Sequence, residues 1–137
     1  MVFEELEHTA DILMKISAPT LTELFSESGF ALSKTLYGNY SEEEPSQSFE
    51  IEAKGDDLCE TVVNFLSELL FITETEYLVP QSFELEADEK SVFGKVSGVS
   101  FDRAKHAGGI EVKGISYSGL TLTKTDTGFE LQIIFDI

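Results

Sequence analysis

The chain has 137 residues, with 9 Lys and Arg against 26 Asp and Glu, and a formal net charge of −17 at pH 7. That length suits one domain with room for a real core, and a hydrophobic content of 42% excludes general disorder. One cysteine and two histidines exclude an internal disulfide framework, and are too few for a structural zinc site of four cysteines or of paired cysteines and histidines. The excess of acid also excludes tight, direct binding to nucleic-acid phosphates, which rests on Lys and Arg releasing counterions. It permits solubility through self-repulsion, a multivalent-cation site, or a basic protein partner. No apolar run approaches the roughly 20 residues needed to cross a bilayer. The opening MVFEELEHTAD is acidic where a signal peptide is basic, so neither membrane insertion nor export is expected. The scarcity of cysteine fits a reducing, cytoplasmic home.

Residues 10–18 alternate, with Ile12, Met14 and Ile16 on one side and Asp11, Leu13 and Lys15 on the other, which predicts a strand. Pro19-Thr20 breaks it. Thr20 or Thr22 is a candidate cap, with Glu23 completing a capping box for a helix running to about Tyr37, where Gly38-Asn39 stops it. The acidic stretch YSEEEPSQS reads as a solvated loop. SFEIEAKG then alternates as a second strand, and Gly55-Asp56-Asp57 leads into the longest helix, with Leu58, Val62, Phe65, Leu66 and Leu69 as its apolar stripe. Cys59 lies beside that stripe with no basic neighbour in sequence, as a partly buried thiol rather than a nucleophile. SFELEAD and KSVFGKVSGVSF read as strands joined around Glu89-Lys90. Residues 111–124 and 129–137 read as a hairpin in which Gly128 supplies a positive φ. This order predicts a single α+β domain over residues 1–137: a mixed, largely antiparallel sheet with two helices packed on one face and late β-hairpins.

No phosphate loop, nucleophile elbow or zinc-protease motif is present. Two acidic residues stand out by context. Asp11 opens the first strand directly before Ile12, and Asp136 is the penultimate residue of an otherwise apolar strand. Alternation places Phe129, Leu131, Ile133, Phe135 and Ile137 on one face and Asp136 on the other. The Ile137 α-carboxylate follows one residue later, and carboxylates this close repel unless a cation or hydrogen-bond donors stabilise them. With Asp11 beside them, the set is a hard, oxygen-rich site suited to Ca²⁺, Mg²⁺ or Mn²⁺. A solvated strand end at Asp136 and a local cap at Asp11 account for the same spacing. His8 reads as a backbone or carboxylate partner, and His106 as a loop or strand-entry residue rather than a ligand. Lys113 is expected to share a strand face with Ile115 and Tyr117, where it either compensates acid, contacts an anion, or snorkels from an edge strand.

Together, Glu7-His8-Thr9-Ala10-Asp11-Ile12, the DDLCETVVNFLSELLF helix, Asp102 and His106 followed by Glu111-Val112-Lys113, and the terminal Phe135-Asp136-Ile137 resemble the archease family along the whole chain. The resemblance implies a non-enzymatic activator of the RtcB-type ligase of tRNA splicing, which uses GTP and a divalent metal; the activator promotes guanylylation and repeated turnover. It implies a metal site at Asp11, Asp136 and Ile137, with calcium the leading cation and Mn or Mg as alternatives, and a functional lysine at Lys113. The family reads Thr-Tyr-His where this chain has Ser116-Tyr117-Ser118, so whatever that histidine does is not carried over. Gly114 also replaces an alanine. An acidic activator docks naturally on a ligase whose surface is basic enough to grip RNA. Two other readings remain open: a small metal-dependent hydrolase using the same acidic cluster, for which no nucleophile or base can be named, and a general folding chaperone, which calls for exposed apolar patches.

Overall fold

The structure is a computed structural model that describes residues 11–137. His8 and the rest of the Glu7–Ala10 motif lie outside the described residues. Strand β1 (Asp11–Ala18) leads through Pro19 into helix α1 (Leu21–Tyr37), followed by β2 (Gln47–Lys54) and helix α2 (Leu58–Glu76). Next come β3 (Leu78–Ala87), β4 (Ser91–Ser100), a one-turn helix α3 (Arg103–His106), β5 (Gly114–Thr125) and β6 (Gly128–Asp136).

The α+β class and the two main helices are as the sequence predicts, and every strand pairing is antiparallel. Among the described residues the strands form two three-stranded sheets rather than one. One has the order β1-β6-β5 and the other β2-β4-β3. Each sheet turns one face to the helices, because the apolar positions of its paired strands fall on the same side. In the first sheet Ile16, Ala18, Leu131, Ile133 and Phe135 are buried; in the second Ile51, Ala53, Val92 and Val96 are. Helix α1 packs on β1 and β3, and α2 on β2 and β5, so each helix touches both sheets. The two helices meet through Phe25 and Phe65, whose rings stand edge to face at 5.3 Å. One cluster of apolar side chains thus joins both sheets and both helices.

The helix ends follow the capping chemistry. The Thr20 Oγ1 accepts the Glu23 N–H at 3.2 Å, and the Asp57 Oδ1 accepts the Glu60 N–H at 2.8 Å. Strand β3 starts earlier than its alternating segment suggests. Tyr77, in a left-handed conformation at φ 52°, ends α2 and turns the chain directly into Leu78. Pro80 is tolerated because β3 is an edge strand, and the register shifts between Pro80 and Ser82. No helix among the described residues is long and apolar enough to cross a membrane.

Candidate functional site

Antiparallel pairing sets Asp11 opposite Asp136, then Leu13 opposite Ile134 and Lys15 opposite Gln132. All of these lie on the outer face of the first sheet, since their neighbours Ile12, Met14, Ile133 and Phe135 pack inward. Directly opposed residues hold their Cβ atoms about 4.5–5.5 Å apart, and like charges so placed repel. Farther along the same face, the Lys15 Nζ lies 2.9 Å from a Glu130 carboxylate oxygen. Among the described residues no such cation is ion-paired to Asp11 or Asp136.

On its other side Asp136 pairs with Gly114 of β5, which presents no side chain. A Cβ placed on Gly114 would have nothing within 4 Å among the described residues, so these leave space beside Asp136. The register therefore brings together the two carboxylates singled out from the sequence. No group of three or more Asp, Glu, His or Cys side chains suited to a metal occurs among the described residues. A three-carboxylate site here depends on the main-chain carboxylate of Ile137. The donor chemistry of the pair, two hard-oxygen carboxylates with no ion pair among the described residues, fits a divalent ion.

Lys113 reaches the same strand end by its backbone: its N–H donates to the Asp136 carbonyl at 2.7 Å, and its side chain is exposed. It precedes β5 rather than sitting inside it. The expected shared face with Ile115 and Tyr117 does not form. Ile115 packs against the core, whereas Tyr117 is 54% exposed. The cause is a bulge: Ser116 pairs with Ile134 but the next paired residue is Thr121, and Gly119 takes φ 74° to make the detour.

A second polar cluster was not legible in the sequence as a site. His106 is 1% exposed, and its Nδ1 accepts the Asp102 N–H at 2.9 Å. Its Nε2 therefore carries the proton and donates to a Glu43 carboxylate oxygen 2.9 Å away. The other Glu43 oxygen takes the Lys105 ammonium at 3.0 Å. Lys105, then His106, hold the Glu43 carboxyl below the ordinary carboxylate range. Tyr37, Tyr40 and Phe101 ring the imidazole with centroids 5.9–6.5 Å away. Burial pushes the Tyr40 hydroxyl up to about 12, and it donates to the Pro80 carbonyl at 2.6 Å. Glu43 lies 63 residues from His106, too far for any local pattern to link them. Cys59 is half-buried, and burial followed by the nearby Asp57 charge pushes its thiol up, which disfavours a thiolate.

Residues 3–137 match the archease protein family (MTH1598/TM1083). Among similar proteins, "Protein archease" of Methanopyrus kandleri is 31% identical over 141 residues, covering 100% of both chains. "Protein archease" of Pyrococcus abyssi is 35% identical over 98% of each, and the "Protein archease-like" of Drosophila melanogaster is 34% identical over 100% of this chain and 91% of that one. The solution structure of Methanobacterium thermoautotrophicum protein 1598 superposes with a TM-score of 0.76 at 21% identity, covering 96% of each chain. The crystal structure of "an archease, possible chaperone" from Thermotoga maritima superposes with a TM-score of 0.69 at 18% identity, covering 100% of this chain and 98% of that one. Both likenesses bear on the fold.

Proposed function

Because this chain belongs to the archease family over residues 3–137, we propose that it is an accessory activator of an RtcB-type RNA ligase in tRNA splicing, not itself an enzyme. In this reading it works in the cytoplasm, promoting the ligase's guanylylation and its repeated turnover. The observation that carries the site assignment is the register pair Asp11–Asp136, two carboxylates face to face at a sheet end with the Lys113 backbone bonded beside them. Asp11, Asp136 and the Ile137 α-carboxylate would hold a divalent cation, calcium first and Mn or Mg as alternatives. When bound, that ion would supply positive charge between the carboxylates.

The chain's own residues do the rest. The β1–β6 pairing fixes both aspartates on the outer face, where a partner can reach them. Lys113, tied to the Asp136 carbonyl, places one mobile ammonium at the edge of the carboxylates, suited to a phosphate or carboxylate of the partner. The net charge of −17 favours a basic protein over RNA as the docking surface.

The test is multiple-turnover ligation by a cognate RtcB-type ligase with GTP and metal, with and without this protein. Wild type is expected to accelerate turnover and to show no ligation alone. The Asp136→Asn and Lys113→Ala variants are expected to stimulate less while keeping their fold. No stimulation by wild type would defeat the functional reading and bring the metal-dependent hydrolase forward. Full stimulation by the double variant would keep the function and remove the site.

A further inference from the structure

The segment that carries Lys113 is a crossover. Strand β4 ends at Ser100 in one sheet and β5 begins at Gly114 in the other, so residues 101–113 carry the chain between them. A connection of that length would wander unless tied down, and its ties are unevenly spread. At its start the Phe101 N–H donates to the Tyr77 carbonyl at 2.8 Å. In its second half the Ile110 N–H donates to the Thr35 carbonyl at 2.9 Å, and Gly109 lies so close to α1 that a Cβ there would sit 2.2 Å from the Leu36 carbonyl group. Val112 is fully buried, and Lys113 then bonds to Asp136. Between these ends, the one buried polar side chain of the crossover is His106.

We propose that His106 is a positioning residue: clasped between the Asp102 amide and the Glu43 carboxylate, it sets the crossover against α1 and so presents Lys113 to Asp136. The two ring nitrogens have separate tasks. Nδ1 closes the turn of α3 on itself through Asp102, a local bond that any acceptor of the same length could replace. Nε2 ties α3 to Glu43, on the loop between α1 and β2, a non-local bond that holds the crossover in place. The Lys105–Glu43 pair is exposed on the lysine side, with its side chain 59% accessible, and is screened accordingly. The His106–Glu43 bond is shielded at its imidazole end, which is 1% exposed and packed by Tyr37, Tyr40 and Phe101, while the Glu43 side chain is 25% exposed. Glu43 is itself held from behind: its N–H donates to the Gln81 Oε1 at 3.0 Å, on edge strand β3. The clasp therefore fixes the crossover to α1 and to the second sheet together, and Lys113 is its outlet in the first sheet. In its activity arm this inference rests on the proposed function; in its structural arm it stands without it.

Asparagine at 106 mimics Nδ1 and glutamine mimics Nε2, which separates the two bonds. Amide hydrogen exchange at Ile110 and Lys113 reads the crossover directly, with α2 amides such as Leu66 and Leu69 reporting global stability. His106→Asn and Glu43→Ala are expected to speed exchange at Ile110 and Lys113 by about tenfold or more, leaving α2 unchanged, and His106→Gln is expected to restore protection. In ligation assays the first two variants are expected to lower stimulation, since Lys113 is no longer held beside the carboxylates, and His106→Gln is expected to restore it. Unchanged Lys113 exchange, or α2 amides accelerating in step with it, would overturn the proposal. If wild type stimulates no ligase, the functional reading falls while the exchange result still decides the positioning role.

Discussion

Asp136 is fixed through its backbone, its carbonyl taking the Lys113 N–H, while its carboxylate stands opposite Asp11 with no ion pair among the described residues. This gives a prediction whose sign depends on the medium. With divalent ions chelated, Asp136→Asn removes a like-charge pair and should raise stability by up to about 1 kcal/mol. With calcium near a hundredfold over its dissociation constant, wild type should gain about 2.7 kcal/mol, a melting shift on the order of 10 °C, which the variant should largely lack. Thermal unfolding with chelator and with calcium checks both, and equal calcium shifts in the two proteins would place the ion elsewhere. Lys113→Ala, by contrast, should change stability by less than about 0.5 kcal/mol, because an exposed side chain with no ion pair among the described residues has little to lose. At this scale the aspartates were legible because alternation assigns faces and faces survive folding. The face of Tyr117 was not, because a bulge adds residues that no period-two count anticipates.

Among the elements, the helix starts are the most legible, since a cap is local chemistry. Thr20→Ala should cost about 1 kcal/mol in chemical denaturation, the usual worth of an N-cap hydroxyl. The loop carrying Glu43 behaves differently, because its order depends on charge. Its carboxyl is held below its ordinary value by Lys105 and His106, so the folded state binds that proton less readily than the unfolded chain. Its contribution is therefore complete above the unfolded carboxylate pKa of about 4.3 and is lost as pH falls through the lower folded value. Unfolding titrations from about pH 6 to about pH 3 should show a shallower acid loss for Glu43→Gln than for wild type; parallel curves would mean the carboxylate contributes nothing to the acid limb. Nothing in the sequence marked Glu43 within the acidic run of Glu42, Glu43 and Glu44, whose members differ only in what the fold brings to them.

Across the whole molecule, 26 acidic against 9 basic residues make self-repulsion a standing load on the folded state. Monovalent salt, which shortens the Debye length to about 8 Å at about 0.15 M, should therefore raise the melting temperature of the isolated protein while weakening its association with a basic ligase. Calorimetry and a binding titration over the same salt series test the two opposite slopes, and a flat melting series would show that the repulsion is already neutralised locally. The division of the strands into two sheets lies at this scale too. Each strand's alternation shows which side faces the core, but not that β1 joins β6 while β2 joins β4, because those partners lie far apart in sequence and no local pattern links them.

The order β1-β6-β5 also has a consequence in time. The last of the described strands to be synthesised is the middle strand of its sheet, so β1 and β5 have no edge in common until it arrives. At a synthesis rate of about 5–20 residues per second, β1 waits several seconds for its partner β6, while β2, β3, β4 and both long helices are already complete. Asp11 and Lys15 lie on one face of that waiting strand, on either side of Leu13, charges of the kind that discourage edge-to-edge pairing with another nascent chain. The carboxylate pair is thus assembled only after every other described element has been made, and a molecule that presents it has already closed its first sheet.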